Sequence, residues 1–182
     1  MFGVGVGRLY TARYFPPQAK AAATAMVENI RIAFRARLAN AAWMSPQTRD
    51  KAVTQLGALQ VGLGYPETST DYSSLAVVRG DAFGNLRRAD AFTWRHDLAK
   101  LTKPVDPAEW QIPLVRPQMV GALINFSPNA TQFSAGLLQP PFFDPTGDAA
   151  ANYGSAGAGL ALQLHPSLDM SPSRRGLMGS SP

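Results

Sequence analysis

The apolar pattern of this chain changes period across residues 102–117, and that change limits the fold more than any other feature of the sequence. Before it, apolar residues recur at helical spacing. Met26, Val27, Ile30, Ala33, Phe34, Leu38 and Ala41 form one stripe, with Arg31 and Arg35 lying elsewhere, which is the pattern of a core-facing helix. Such a stripe could serve a partner helix, but packing within its own protein is its ordinary purpose. A second helix is predicted from Ser45, whose hydroxyl can cap it, and Pro46, which suits its first turn. Ala52, Val53, Leu56 and Leu59 make its apolar stripe, and Gly62, Gly64 and Pro66 stop it. A third, less regular helical pattern covers 81–101, with Gly84 weakening its opening turn. After the boundary, 119–126 and 131–138 read as extended apolar chain, the second leading into Gln139-Pro140-Pro141. The expected class is mainly α, a helical segment followed by two short strands.

Composition narrows the chemistry. A chain of 182 residues, 46% hydrophobic, can bury a sizeable core, while 15 prolines and 16 glycines make much of it loop. The absence of cysteine excludes disulfides and thiolate metal sites and leaves the compartment open. A net charge of +5 raises nucleic acid as a partner. The basic residues are dispersed, however, with short pairs only at Arg87–Arg88 and Arg174–Arg175, so solvated helix faces are favoured and no nucleic-acid partner is expected. Residues 1–10 lack the basic start and apolar core of a signal peptide. No apolar run approaches the ~20 residues of a membrane-spanning helix. The last residues, 170–182, have neither helical nor strand period and are expected to be disordered.

Several landmarks are specific in order as well as in composition. Gly7, Leu9, Tyr10, Tyr14, Phe15 and Pro16 stand in a V-G-x-L-Y-x-x-x-Y-F-P stretch; Trp43-Met44-Ser45-Pro46, Gly64-Tyr65-Pro66 and a P-V-D-x-x-E-W segment ending at Trp110 follow. Residues 135–166 then read A-G-L-L-Q-P-P-F-F-D-P-T-G-D-A-A-A-N-Y-G-S-A-G-A-G-L-A-L-Q-L-H-P. From about residue 6 to 161 the chain resembles the neprilysin and endothelin-converting-enzyme family of zinc metallopeptidases. The resemblance implies a helical segment of the N-terminal or linking region over 1–103, the beginning of a thermolysin-like α+β catalytic domain over 104–166, and a disordered tail over 167–182. It also implies peptide-bond hydrolysis as the family activity, zinc as the family cofactor, a peptide as substrate, and relatives that are often extracytoplasmic or membrane-anchored.

In that family N-Y-G-x-x-G leads into a helix carrying H-E-x-x-H. Two imidazoles four residues apart share a helix face and bind zinc, and the intervening carboxylate takes a proton from the metal-bound water. Aligned on Asn152, Tyr153, Gly154 and Gly157, the first zinc histidine falls on Leu162, the general-base glutamate on Gln163 and the second histidine on Pro166. Leu162 has no lone pair. The Gln163 amide cannot accept and return a proton near neutral pH. Pro166 has no imidazole, and its ring does not fit a continuing helix. The remaining histidines, His165 and His96, are read as ordinary solvent-facing or packing residues, and no metal is expected in this chain.

A second departure lies in the strand that, in the family, holds an extended peptide by strand addition. Its substrate-positioning asparagine corresponds to Gly121, followed by Ala122, Leu123 and Ile124. Gly121 keeps backbone groups and loses the side-chain amide; Asn125 is not its replacement. The expectation is an internal, truncated or decayed piece of a neprilysin-like peptidase, without the downstream zinc glutamate and without activity. The alternative is a non-catalytic peptide-binding or interaction protein. Either leaves apolar surface exposed, to be covered by a complementing chain or by self-association.

Overall fold

A computed structural model describes residues 3–67, 70–104, 110, 115–125 and 130–164. Helices α1 (Gly3–Tyr14), α2 (Pro17–Ala39) and α3 (Pro46–Ala58) come first, then strand β1 (Gln60–Gly64) and helix α4 (Ala82–Leu98). Strands β2 (Ala122–Asn125) and β3 (Ala130–Ser134) follow, and a helical run closes the described chain: α5 (Ala149–Asn152), a π-helical turn (Tyr153–Gly157) and α6 (Ala158–Leu164). The expected mainly helical first part and the two short strands after residue 117 are found, with a third strand, β1, between α3 and α4. Residues 165–182, with His165, Pro166 and the expected disordered tail, lie outside the described residues.

Helix starts follow local chemistry. Pro17 opens α2, and at α3 the Ser45 hydroxyl accepts from the Thr48 N–H at 3.2 Å, with Pro46 beside it. At α4 the Asp81 carboxylate accepts from the Gly84 N–H at 2.9 Å and from Arg88 at 2.9 Å. Gly84 is thus no mere weakness of that turn: a Cβ there would run into the capping carboxylate.

The Arg88 guanidinium, and after it the Gly84 N–H, hold the Asp81 carboxyl below its ordinary value. A depressed carboxylate contributes stability that is present above its unfolded-state pKa and lost as pH falls through the folded one. Loosening of α4 is therefore expected below the ordinary carboxylate range. Asp81→Ala should lower Tm at neutral pH and make little difference in strong acid. Thermal melts followed by circular dichroism at both pH values check this, and an equal loss at both would contradict it.

The sheet has the order β1-β3-β2. β3 is central, with all five residues buried; β1 runs parallel to it, Gln60 opposite Ala130, and β2 antiparallel, Ala122 opposite Phe133. β1 departs from expectation, since residues 60–64 were predicted only to stop a helix. Here the glycines serve a strand. Gly62 leaves room for the Trp110 indole, whose Cζ3 would stand 2.7 Å from a Cβ, and Gly64 adopts a φ of 75° against the Phe15 ring. Leu59, predicted on the helix stripe, is buried just past the end of α3.

One core joins the parts. Ala19, Ala23, Met26 and Val27 of α2 pack with Phe15, Leu63, Phe133, Leu138, Phe143 and Leu160. Further along α2 the predicted stripe comes to the surface: Ile30, Phe34 and Leu38 are half-buried and Ala33 is exposed. No helix among the described residues is long and apolar enough to cross a membrane.

Candidate functional site

The segment after β3 decides where α6 sits. Gly136 passes so close to the Met119 carbonyl that a Cβ would overlap it, and the Gln139 amide donates to the Tyr14 and Ala135 carbonyls at 2.9 and 3.0 Å. Asn152 and the Asp144 backbone exchange two hydrogen bonds, of 2.9 and 2.6 Å, and the Ser155 hydroxyl donates to the Phe142 carbonyl at 2.7 Å. The Asn29 amide of α2 donates to the Tyr153 hydroxyl at 2.8 Å, tying the π-helical turn to the core helix. Gly159 then lets α6 lie directly on Phe142, whose Cζ would be 2.9 Å from a Cβ.

Between α6 and β2 this leaves a cleft of about 290 Å³. Val120, Gly121 and Ala122 form one wall, Gly159, Leu160 and Gln163 the other, and Phe133, Leu137 and Phe142 complete it. The structure thus brings together Gly121, Ala122 and Gln163, residues singled out on separate grounds. Leu162 stands outside the cleft, 69% exposed. His96 is exposed on α4.

No lining side chain titrates, so the cleft has no acid, base or anionic metal ligand. It is a hydrocarbon slot with one neutral amide at its wall. What polar chemistry it offers belongs to the β2 backbone. The Gly121 C=O accepts from the Ser134 N–H at 3.0 Å and from the Ser134 hydroxyl at 2.8 Å, and its N–H donates to that hydroxyl at 3.1 Å. Ser134's own carbonyl turns away to accept from Leu137 and Leu138, so its hydroxyl substitutes for the missing ladder acceptor. Gly121 is consequently committed to β3. Antiparallel alternation then turns the N–H and C=O of Ala122, an exposed residue of the edge strand, toward the open side. Ser134 was not identified from the sequence, where a serine in a short strand carries no mark of a partner in another strand.

A second concavity, of about 310 Å³, lies between α2 and β1, away from these residues. Lys20 binds the Tyr65 carbonyl at 3.0 Å and Glu67 at 2.5 Å, and Arg31 binds the Leu59 carbonyl at 2.5 Å. The two cations therefore fasten both ends of β1 to α2.

Residues 1–66 match the N-terminal model of peptidase family M13. Over 92% of its length the chain is similar to zinc metalloprotease Zmp1 of Mycobacterium tuberculosis in its open state, with 42% identity and a TM-score of 0.86, covering 26% of that protein. Against Zmp1 in complex with an inhibitor the identity is 41% and the TM-score 0.76, over 92% of this chain and 25% of that one. This chain belongs to peptidase family M13. Neprilysin-3 of Drosophila melanogaster is 29% identical over 174 residues, 92% of this chain and 22% of that protein. The M13 chain described here thus spans about a quarter of the length of these relatives.

Proposed function

We propose that this M13 chain is catalytically inactive as it stands, and that its β2–α6 cleft seats an extended peptide by strand addition. One observation carries this: the open edge of β2 at Ala122 and the helix position of Gln163 share a cleft of hydrocarbon with no titratable group. Strand addition needs free backbone donors and acceptors beside a pocket for alternate side chains. Ala122 supplies the first, and the walls from Phe133, Phe142 and Leu160 suit a large apolar side chain.

The family's zinc does not fit the residues present. Leu162, at the position of the first zinc histidine, offers only hydrocarbon, and Gln163, at the position of the general base, is a neutral amide. Among the described residues no three His, Asp or Glu side chains are grouped to hold a metal ion. Leu162→His with Gln163→Glu is expected to leave the chain without peptidase activity, because Pro166 offers no second imidazole. The decay of the zinc-helix positions at Leu162 and Gln163 belongs to the same proposal.

Two measurements test it together. The purified chain should hold no stoichiometric zinc and should not cleave a quenched peptide, with or without chelator. A fluorescent peptide carrying one bulky apolar residue should bind and gain anisotropy. Ala122→Pro should abolish that binding while the far-ultraviolet spectrum is kept, since proline is tolerated where an edge strand's N–H faces outward. Chelator-sensitive cleavage that copurifies with zinc would sink the claim of inactivity. Unchanged binding by Ala122→Pro would sink strand addition.

A further inference from the structure

We infer that the solvent-facing side of α4 pairs two copies of this chain, antiparallel, about a two-fold axis. α4 is held to its own chain along one side: Ala89 is buried, Phe92 meets the Tyr72 ring at 5.4 Å between centroids, and Arg88 donates to the Ala76 carbonyl at 3.0 Å. At the helical pitch of 3.6 residues per turn, Phe83, Arg87, Asp90 and Trp94 lie on the opposite side. Phe83 is 72% and Trp94 66% exposed, and Leu86 and Leu98 flank them. The alternating spacing of four and three residues is that of a helix–helix seam.

The charges choose the occupant and its direction. Neither Arg87 nor Asp90 enters an ion pair among the described residues, although both sit in the middle of an apolar stripe. Laid antiparallel on a second α4, one register sets Phe83 against Trp94 of the second copy and Arg87 against Asp90 of the second copy. Two-fold symmetry makes each contact twice. A parallel pair would instead set Arg87 against Arg87 and Asp90 against Asp90. The stripe is therefore complementary to itself in one direction and self-repelling in the other. This pairing does not depend on how the β2–α6 cleft is used.

Sedimentation velocity of the full chain over a concentration series should show a reversible monomer–dimer equilibrium, with the tryptophan emission shifting to the blue as dimer forms. Arg87→Asp or Asp90→Arg alone turns two attractive contacts into two repulsive ones and should weaken the dimer by about tenfold or more. The double exchange, Arg87→Asp with Asp90→Arg, should recover it, and Trp94→Ser should abolish it. All three positions are exposed, and the recovery in the double variant shows that loss in the singles is not unfolding. A monomer at every concentration overturns the proposal. So does association unmoved by the single exchanges, or not recovered by the double one, which would leave unspecific apolar aggregation or another partner as the occupant.

Discussion

Replacing Gly64 with alanine is expected to destabilise the protein by about 2–5 kcal/mol. Gly64 ends β1 with a φ of 75°, in the left-handed region where an L side chain costs about 1–2 kcal/mol. The added Cβ also points into the Phe15 ring, which is 1% exposed and enclosed by the core, so it has no free direction in which to move. Relieving the overlap means shifting either Phe15 or the strand, at about 1–3 kcal/mol for an overpacked core. The strand cannot shift freely either, because the Ala135 N–H donates to the Gly64 carbonyl at 3.0 Å. Urea denaturation measures the loss. Gly57→Ala, where no atom lies near the new Cβ, is the control and should not destabilise. Equal midpoints for the Gly64 variant and the unaltered protein would refute the account of this turn.

Phe133→Ala is expected to cost about 3–5 kcal/mol, a large share of the 5–15 kcal/mol that a domain usually has. Phe133 is 1% exposed on the central strand, belongs to the core shared with α2 and α6, and forms part of the β2–α6 cleft. Its removal takes away packing from both sides at once. The cleft should widen as the core weakens, so peptide affinity should fall together with Tm. Phe133→Leu restores much of the volume and should recover most of the stability. Thermal melts and anisotropy titrations on both variants separate the effects: affinity lost in proportion to stability in alanine, and regained in leucine.

Much of the fold was legible locally. The Ser45 cap, Pro46 at the start of α3 and the apolar stripes act within one or two helical turns, so neighbouring residues reveal them, while the Asp81 cap of α4 emerged only in the structure. β1 was not legible. Its residues carry two glycines and follow a helix, which reads as a stop signal, and its partner β3 lies far along the chain, in a parallel pairing that leaves no turn sequence behind. The outer half of the α2 stripe was over-read for the converse reason: apolar spacing shows what a helix could bury, while Ile30, Phe34 and Leu38 are covered only as far as neighbours reach them.

By itself the sequence determined which side chains are available for chemistry. A leucine at 162 and a glutamine at 163 lack metal-binding nitrogen and a titrating carboxylate in any fold, because those properties are covalent. Tertiary structure alone decided where the remaining groups meet. Gly121, Ala122 and Gln163 line one cleft because Gly136 and Gly159 permit close backbone approach and because Asn152, Ser155 and Tyr153 orient the helical run. The register of β2 on β3, continued by the Gly121–Ser134 contacts, settles which backbone groups of β2 face inward, and Ala122 is left to face out. Hydrogen bonds between residues distant in sequence depend on three-dimensional register, which local propensity does not encode.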